Sequence, residues 1–450
     1  MSIDTSIFKA YDIRGIYPIQ INEDLVYKIG QAYAQIIKPQ SKVAVGMDVR
    51  LSSPQLKKAL IEGLTDAGVS VVDVGLISTE MIYFATGFYK LAGGIQVTAS
   101  HNPAEYNGMK MVREEAIPIS SDTGIFEIRD WAAGENEPVK ASVKGEVETK
   151  DILADFVKFA LNFVDISKIK PLKLVYNPNF GYEGEVLKKA VEIGNLSLEL
   201  VGLNEVPDGN FPKGRPDPFV PENRPEFVEL VKSSKADLGV TWDADADRVF
   251  FCAGSGTFVE PYHMNALLIK GILKKYPAST IIYDPRYTWA VIDSTLENGG
   301  KVDSSRVGHS FIKEKMRKVD AVFSGEASGH TYFRDFYFAD SGLIPLLIVL
   351  EMVSTEGDLD TLLKPYWDKY FISGEINTKT EKAKEIMTEI ETKYADGEIS
   401  KLDGLSVEFT DWRASIRTSN TEPLLRLNVE AKSQAKMEEM RDELLAMIQA

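Results

Sequence analysis

Apolar and polar positions follow the same order in three stretches of the chain, residues 42–76, 172–203 and 279–309. Each stretch begins with a β-branched run that ends at Asp48, Asn177 or Asp284. Apolar residues at helical spacing follow, and then a second apolar run ends near a glycine. A strand, a helix and a strand joined by short links form a unit whose two strands pair in parallel. The pattern therefore predicts three similar α/β domains.

The C-terminal part of the chain has a different pattern. A charged amphipathic helix is predicted over 379–397, followed by three short strands and a last helix from about residue 433. Strands and helices that do not alternate regularly indicate a small α+β domain. Polar linkers are predicted near 134–150, 252–258 and 366–374. The domain boundaries that we expect are 1–148, 149–252, 253–368 and 369–450.

Length, charge and cysteine content limit the class of protein. A chain of 450 residues is too long for one core. Its net charge of −16, from 51 basic and 67 acidic residues, argues against a nucleic-acid partner. The first residues lack the pattern of a signal peptide, and the longest apolar run, 342–352, predicts a buried helix that is too short to span a membrane. The single cysteine, Cys252, fits a reducing compartment, so a cytoplasmic protein is expected.

Three carboxylates lie close together in the sequence TWDADADRV. Asp243, Asp245 and Asp247 occupy alternate positions after an apolar strand. Carboxylates at this spacing repel one another unless a cation or water lies between them, and oxygen ligands select Mg²⁺ or Ca²⁺. An EF-hand is excluded because Arg248 and Gly254 stand at its sixth and twelfth positions. The alternatives left open are a site for a hard cation and a solvated acidic turn.

A serine lies beside a histidine in the sequence TASHNP, at Ser100 and His101. A hydrolase of the Ser-His-Asp type is not supported, because neighbouring side chains on a strand point apart and the G-x-S-x-G elbow is absent. A serine at a strand end can instead carry a phosphoryl group, whose charge an acidic cluster with Mg²⁺ could hold. Ser100 by itself would be interpreted as a turn residue.

Two polar loops and three cations complete the candidate chemistry. The run RTSNTEPLLR (417–426) offers hydroxyls, an amide and guanidinium groups that suit a phosphate. The run GEASGH (325–330) offers a carboxylate and a hydroxyl that suit a sugar. Lys110 follows Ser100 closely enough to act as an acid or base. Read singly, the loops are ordinary turns, and Arg14, Lys110 and Arg286 are surface charges.

Five motifs taken together resemble the α-D-phosphohexomutases over essentially the whole chain: FKAYDIRG, TASHNPAEYNGMK, DADADR, GEASGH and RTSNTEPLLRLNVEA. The resemblance implies three similar α/β/α domains with mixed sheets, and a C-terminal α+β domain that resembles the TATA-binding-protein fold, around a central cleft. It also implies reversible transfer of a phosphoryl group between the 1- and 6-positions of a hexose phosphate. The route would pass through a phosphoserine and a hexose 1,6-bisphosphate, which is expected as an activator.

The resemblance also implies roles for individual residues. Ser100 would carry the phosphoryl group, and its phosphate with Asp243, Asp245 and Asp247 would bind one Mg²⁺ per chain. Proton transfer and charge stabilisation would involve Lys110 and His101, with Arg14 or His330 nearby. Arg248 would contact the reacting phosphate, and Glu326 and Ser328 would recognise sugar hydroxyls. The phosphate that does not react would be bound by Arg417, Ser419, Asn420 and Thr421, helped by Arg286 and His309, and Tyr11 would also bind the substrate.

The identity of the sugar depends on two positions. Ala327 replaces a methionine in a loop that otherwise resembles phosphomannomutase/phosphoglucomutase, and Asn420 stands where phosphoglucosamine mutases usually have glycine. Mannose phosphate is therefore expected first, glucose phosphate second and glucosamine phosphate as the alternative. A Mg²⁺-dependent sugar phosphatase and a non-catalytic sugar-phosphate sensor are the rival functions. The hexose phosphates are the expected partners of a monomer or homodimer, and motifs on separate domains predict a closing motion.

Overall fold

The computed structural model describes residues 3–418 and 424–449. The chain divides into two compact units. The first comprises Met1–Val259 and Ser328–Leu359, and the second comprises Glu260–Ala327 and Asp360–Ala450.

The first unit begins with a six-stranded mixed sheet. Its elements are β1 (Ile13–Ile16), α1 (Glu23–Ile37), β2 (Val43–Met47), α2 (Ser53–Asp66), β3 (Val71–Leu76), α3 (Thr79–Phe88), β4 (Gly93–Val97), β5 (Tyr106–Arg113), α4 (Phe126–Ala133) and β6 (Val147–Thr149). The strand order is β1-β5-β4-β2-β3-β6. Strands β2, β3, β4 and β6 run in parallel, whereas β5 is antiparallel to β4 and to β1.

Helix α1 shows why the sequence forms this layer. Its first turn is capped by the side chain of Asn22, which accepts from the backbone N–H of Leu25, and acidic residues follow at Glu23 and Asp24. Its buried face packs on α2 at close range, because a Cβ at Gly63 would lie only 2.2 Å from the carbonyl oxygen of Tyr27. The two helices therefore cover the sheet as one tight layer.

A second mixed sheet of the first unit follows the same plan. Its elements are α5 (Leu153–Leu161), β7 (Leu172–Asn177), α6 (Glu183–Gly194), β8 (Leu198–Gly202), α7 (Pro225–Ser233), β9 (Leu238–Trp242), β10 (Val249–Ala253) and β11 (Phe258–Val259). Strands β8, β7 and β9 are neighbours and parallel, β10 is antiparallel to β9, and the edge strand β11 is antiparallel to β10.

The third group of elements contributes to both units. In the second unit lie α8 (Pro261–Lys275), β12 (Thr280–Tyr283), α9 (Trp289–Glu297), β13 (Lys301–Ser304), α10 (His309–Val319) and β14 (Phe323–Gly325), with β12 parallel to β13 and to β14. In the first unit lie the antiparallel pair β15 (Thr331–Phe333) and β16 (Ala339–Asp340) and the helix α11 (Leu343–Glu356).

The C-terminal sheet is antiparallel throughout. The last elements are α12 (Leu359–Trp367), β17 (Phe371–Ile372), β18 (Ile376–Lys379), α13 (Ala383–Lys393), β19 (Glu398–Ser400), β20 (Leu405–Glu408), β21 (Trp412–Thr418), β22 (Leu424–Ala431) and α14 (Gln434–Gln449). The order is β17-β22-β21-β20-β19, and β18 also pairs with β22. The buried residues of this sheet pack on α13 and α14.

These elements confirm the predicted α/β class. The three predicted strand-helix-strand units are β2-α2-β3, β7-α6-β8 and β12-α9-β13, and each strand pair is parallel. The predicted buried helix is α11, and the α+β tail is present. The predicted helix 379–397 is shorter because it begins at Ala383, after strand β18. Among the described residues, no helix combines the length and the apolar character that a membrane span requires.

Candidate active site

Ser100 lies in a loop that leaves the carboxyl end of a buried strand. Strand β4 ends at Val97, and Ser100 adopts a left-handed backbone conformation with φ of 48°. Its backbone N–H donates a 2.9 Å hydrogen bond to Oγ1 of Thr98. Its hydroxyl donates a 2.7 Å hydrogen bond to Oδ2 of Asp243. The buried serine is therefore directed at the acidic triplet.

The prediction that the side chains of Ser100 and His101 point apart is wrong. The strand has already ended, and the positive φ of Ser100 brings its Oγ to 3.1 Å from Nδ1 of His101. The same ring nitrogen lies 3.9 Å from Asp243. A hydrolase triad uses one ring nitrogen for the serine and the other for the carboxylate. The arrangement seen here differs from that geometry.

The acidic triplet forms the turn between β9 and β10. Asp243, Asp245 and Asp247 are all buried, and ligand oxygens of the three carboxylates lie within 4.8 Å of one another. In the part of the chain that the structure describes, Oδ1 of Asp245 and Oδ1 of Asp247 have no hydrogen-bond partner. Buried carboxylate oxygens without a hydrogen-bond partner are suited to bind a hard cation. The solvated-turn alternative is excluded by the burial.

Lys110 supplies a positive charge inside the triplet. Its ammonium group donates to Oδ2 of Asp245 at 2.7 Å and also to Oδ2 of Asp247. Burial alone would lower the pKa of Lys110, but the two carboxylates outweigh it and raise that pKa. For Asp243, burial and then the charges of Asp247 and Asp245 raise the pKa well above its ordinary value. Lys110 is thus a fixed cation, whereas the triplet carries more negative charge than one lysine balances.

Asp245 is oriented by hydroxyl groups from the first residue of α3 and from the loop after β4. Its Oδ2 accepts hydrogen bonds from Oγ1 of Thr79 at 2.6 Å and from Oγ1 of Thr98 at 3.0 Å. The backbone N–H of Thr79 also donates to the carbonyl oxygen of Asp245 at 2.8 Å. These contacts fix the triplet against the loop that carries Ser100, within the first unit.

His330 reaches the same triplet from the β15 side of the first unit. Its Nδ1 lies 3.3 Å from Asp340 and 3.8 Å from Asp247. Its Nε2 accepts a 3.2 Å hydrogen bond from Nε of Arg248. The carbonyl oxygen of Gly329, the residue before His330, accepts a hydrogen bond from the backbone N–H of Val249. Asp247, Arg248 and His330 thus form one group of contacts.

Arg14 approaches the serine loop from β1. Its Nη1 donates to Oδ1 of Asn102 at 2.8 Å, and its Nε donates to Asp12 at 2.7 Å. Burial, and then the cations Arg248, Arg14, Arg215 and Lys110, lower the pKa of His101 well below its ordinary value. His101 is therefore neutral at neutral pH, among several permanent positive charges that suit an anionic substrate.

The second unit holds a separate group of buried guanidinium groups. Arg286 follows β12 and donates from Nε to both oxygens of Asp284, at 3.0 and 2.9 Å. Its Nη2 donates to Glu326 at 3.2 Å. His309 is the first residue of α10 in the same unit. Arg286 and Glu326, which the sequence analysis assigned to phosphate and sugar, are thus direct partners.

Glu375 joins three arginines of the second unit. Nη2 of Arg417 and Nη1 of Arg426 donate to it at 3.3 and 3.1 Å, and Arg286 lies 3.8 Å away. Burial would raise the pKa of Glu375, but the three guanidinium groups lower it below its ordinary value. Ser419, Asn420 and Thr421 lie outside the described residues. Of the four residues of this loop that are predicted to bind the substrate, Arg417 lies within the described residues.

The chain matches all four domains of one family, phosphoglucomutase/phosphomannomutase. Its α/β/α domains I, II and III match residues 5–138, 154–256 and 260–370, and its C-terminal domain matches 375–447. The chain belongs to this family.

Individual phosphohexomutases are similar over nearly their whole length. The chain is 44% identical to a phosphomannomutase of Vibrio cholerae, over 99% of this chain and 98% of that protein. It is 46% identical to a protein of Xanthomonas campestris named phosphohexose mutases, over 96% and 97%. A solved family member from Burkholderia thailandensis superimposes with a TM-score of 0.89 at 32% identity, over 99% of this chain and 97% of that one. The protein is an enzyme of the phosphohexomutase class, and enzymes of this class are isomerases.

Most of the predicted site residues of this phosphohexomutase fall into the two groups of contacts described above. Those of the first unit are Ser100, His101, Lys110, Arg14, Asp243, Asp245, Asp247, Arg248 and His330. Those of the second unit are Arg286, Glu326 and Arg417. Tyr11 and Ser328 belong to the first unit, Tyr11 in the segment before β1 and Ser328 in the loop before β15.

Several residues of the phosphohexomutase site were missed by the sequence analysis. They include Arg50, Thr79, Thr98, Asp340, Glu375 and Arg426. Arg426 lies within the quoted phosphate motif, so its residue type and place were a usable signal. Thr98 likewise lies within the quoted TASHNP motif. Arg50, Thr79, Asp340 and Glu375 lie outside the quoted motifs, and nothing in the local sequence indicates their contacts.

Proposed function

We propose that this phosphohexomutase interconverts mannose 1-phosphate and mannose 6-phosphate, with glucose phosphates as second substrates. The reaction would use a phosphoryl group on Ser100 and a hexose 1,6-bisphosphate intermediate. The observation that carries the proposal is the buried hydroxyl of Ser100, 2.7 Å from Asp243, beside two further carboxylates and the ammonium group of Lys110. This arrangement offers a phosphoryl acceptor, ligands for a cation and a compensating charge in one place.

Asp243, Asp245 and Asp247, with a phosphate oxygen on Ser100, would hold one Mg²⁺. The fit rests on an all-oxygen donor set and on the two buried Oδ1 atoms that lack a hydrogen-bond partner among the described residues. When bound, the cation neutralises charge that develops on the phosphoryl oxygens. Lys110 adds a second, permanent positive charge beside it.

The transfer step exchanges one phosphorus–oxygen bond for another. A sugar hydroxyl oxygen forms a bond to phosphorus, and the bond from phosphorus to Oγ of Ser100 breaks. The sugar hydroxyl loses a proton, and Oγ of Ser100 gains one. Nδ1 of neutral His101 lies 3.1 Å from Oγ, so His101 would accept the proton from the sugar hydroxyl and deliver it to Oγ, while Lys110, with Arg14 or His330, would stabilise the charge on the oxygens. Arg248 would contact the transferring phosphate. The bisphosphate then returns its other phosphate to Ser100.

The second phosphate of the sugar would be bound by residues of the second unit. Arg286, His309 and Arg417 would bind it together with Ser419, Asn420 and Thr421, and sugar hydroxyls would contact Glu326, Ser328 and Tyr11. Guanidinium groups already held by buried carboxylates lose little freedom when they bind a phosphate. Catalytic amounts of hexose 1,6-bisphosphate would keep Ser100 phosphorylated.

The remaining proposals concern organisation and location. Four domains with boundaries 1–148, 149–252, 253–368 and 369–450 would share the five motifs, two in the first domain and one in each of the others. A cytoplasmic location is supported by the single cysteine, Cys252, which is buried. A monomer or homodimer would suffice, because the sequence of one chain carries every proposed group.

The test compares Ser100→Ala with Ser41→Ala, a control at an exposed serine just before β2. Each variant is assayed with the 1-phosphates of mannose, glucose and glucosamine, plus Mg²⁺ and catalytic glucose 1,6-bisphosphate. We expect turnover of mannose 1-phosphate by the wild type and the control, and none by Ser100→Ala. Full activity of Ser100→Ala would contradict the proposal. Fastest turnover of glucosamine 1-phosphate would favour a phosphoglucosamine mutase, and stoichiometric release of phosphate without isomer would favour a phosphatase.

A further inference from the structure

Arg50 is buried behind the loop that carries Ser100, and its side chain has 0% exposure. Its Nη2 donates to the carbonyl oxygens of Ser100 and Asn102, both at 2.7 Å. Its Nη1 donates to the carbonyl oxygens of Pro103 at 2.6 Å and Tyr106 at 3.0 Å. With Nε bound to Asp48 at 3.1 Å, all five N–H groups of the guanidinium are used. Four of the five hold the backbone of one loop.

This loop has no sheet ladder of its own. Strand β4 ends at Val97 and β5 begins at Tyr106, so the main chain between them must find other hydrogen-bond partners. The carbonyl oxygen of His101 accepts from Arg215 at 3.2 Å, and those on either side of it accept from Arg50. Two guanidinium groups therefore take the place of a neighbouring strand.

The backbone of Ser100 is strained, and contacts fix it on both sides. A left-handed φ of 48° costs free energy in a residue other than glycine, and it persists only where the surroundings determine it. The peptide before Ser100 is fixed by the bond from its N–H to Thr98, and the peptide after it by the bond from Arg50 to its carbonyl oxygen. This conformation turns Oγ toward Asp243 and His101.

Arg50 is itself held in place. Asp48 accepts from its Nε and from its backbone N–H, and also from Oγ of Ser53 at 2.6 Å. The ring of Phe211 covers the guanidinium with its centroid at 5.0 Å. The segment that carries Phe211 comes this close because residue 209 is glycine, where a Cβ would lie 2.2 Å from the carbonyl oxygen of Val49.

We propose that Arg50 is a positioning residue for phosphoryl transfer, which holds Ser100 in the strained conformation that presents its hydroxyl to Asp243. The inference rests on the proposed function. None of the five hydrogen bonds of its guanidinium goes to the Ser100 hydroxyl, so Arg50 acts through the backbone. Its loss should therefore slow the phosphorylation of Ser100 and the transfer from it, because both steps need Oγ in line with phosphorus. Binding of the sugar phosphate should change little.

The test uses Arg50→Lys, which keeps the charge but has three donors that cannot replace the fork. We expect kcat for mannose 1-phosphate to fall roughly 100-fold, the scale reported for a misplaced reacting group, with KM within about threefold of the wild type. Single-turnover phosphorylation of Ser100 by glucose 1,6-bisphosphate should slow by a similar factor. Amide hydrogen exchange should rise across residues 98–106.

The matched control is Arg224→Lys. Arg224 also donates to two carbonyl oxygens, those of Pro218 and Phe219, and packs on a phenylalanine ring, that of Phe258 at 4.0 Å. This variant should lose similar stability while keeping kcat. If Arg50→Lys fails to fold, Asp48→Asn, which weakens the contacts that hold Arg50 and Ser53, should show a smaller fall in kcat with unchanged KM.

The inference is overturned if Arg50→Lys, or Asp48→Asn in its place, has the kcat of the wild type. It is also overturned if the tested variant changes kcat and the melting temperature only as much as Arg224→Lys does. A wild-type protein without mutase turnover would instead contradict the proposed function. Exchange of the 98–106 amides still tests whether Arg50 holds the loop.

Discussion

The hydroxyl of Ser100 donates a 2.7 Å hydrogen bond to Oδ2 of Asp243. Ser100 follows β4 of the first sheet, whereas Asp243 lies in the turn between β9 and β10 of the second sheet of the first unit. A neutral hydroxyl is a good donor to a carboxylate, but a phosphoserine in its place would bring nearly two negative charges. The same contact would then be repulsive unless a cation lay between the two groups. If Ser100 carries the proposed phosphoryl group, this contact would link its phosphorylation to metal binding.

The first prediction concerns this link. Phosphorylated protein is expected to have a lower melting temperature than unphosphorylated protein in the presence of a chelator. Mg²⁺ should raise the melting temperature of the phosphorylated form more, because the phosphate adds a ligand. Mg²⁺ at a hundredfold excess over its Kd stabilises the folded protein by about 2.7 kcal/mol. Calorimetry with and without Mg²⁺ measures both shifts, and Ser100→Ala treated in the same way is the control. Equal shifts for the two forms would contradict the prediction.

The second prediction concerns Lys110. The change Lys110→Met removes the ammonium group that contacts Asp245 and Asp247. We expect kcat to fall roughly 10²–10³-fold, the range seen when one preorganised electrostatic partner is removed. The Mg²⁺ concentration needed for half-maximal activity should decrease, since a competing cation is gone. Kinetics over a range of Mg²⁺ concentrations measure both effects. The control is Lys42→Met, at an exposed ion pair. A kcat within twofold of the wild type would rule out the assigned role.

The third prediction concerns Arg417. Its Nη2 bonds to Glu375, and the change Arg417→Ala removes a guanidinium group from the proposed distal phosphate site. A hydrogen bond to a charged group contributes about 1.5–3 kcal/mol, so KM should rise at least roughly tenfold. Steady-state kinetics with mannose 1-phosphate measure the change. Arg441→Ala, in the ion pair with Asp442 on α14, is the control and should leave KM unchanged. An unaltered KM for Arg417→Ala would remove Arg417 from the site.

The fourth prediction concerns two buried carboxyl groups, Glu80 and Glu183, which lie close enough for the charge of Glu80 to raise the pKa of Glu183. Glu80 also accepts from Ser341 and from the backbone N–H groups of Gly342 and Leu343, at 2.9 and 3.3 Å. These donors stabilise a charged Glu80, so Glu183 is the partner that holds the proton. Burial, and then the charge of Glu80, raise the pKa of Glu183 well above 4.5, and burial raises that of Glu80 to about 7.

The sign follows from the raised pKa in the folded state. The protonated pair stabilises the fold fully below about pH 4.5, the unfolded value, and that stability is lost as pH rises through the folded pKa values. Above the unfolded pKa, the free energy of unfolding decreases by up to about 1.36 kcal/mol per pH unit for each proton that the folded protein retains. In Glu183→Gln a neutral amide replaces the carboxyl group that ionises as pH rises. We expect the urea midpoint of this variant to fall less between pH 5 and pH 9 than that of the wild type. Glu192→Gln, at an exposed position of α6, should follow the wild type. Parallel curves for all three proteins would contradict the prediction.

Local pattern was sufficient for much of the fold. The three strand-helix-strand units follow from periodicity and from polar residues at strand ends. The strands β18 and β19 were not predicted, because residues 376–379 and 398–400 alternate between exposed and half-buried positions and lack a fully buried face. Their pairing comes from the neighbouring strands.

The candidate site was predictable in its chemical groups and less so in its geometry. The spacing of Asp243, Asp245 and Asp247 indicates them as candidates, and the residue types of Ser100 and His101 indicate that pair. The contact between Ser100 and His101 depends on a positive φ that a serine rarely adopts, so the sequence alone indicated the opposite.

The sequence by itself determined the elements of this protein and the reactive groups at their ends, because periodicity and residue type are local properties. The tertiary structure decided which distant groups meet. Ser100 faces Asp243 because two sheets of the first unit direct their strand ends at one another, and Arg50 reaches the Ser100 loop through main-chain carbonyls that every residue type offers. Contacts of this kind leave no pattern in a single sequence, since their energy depends on the placement of backbone and not on the identity of the partner.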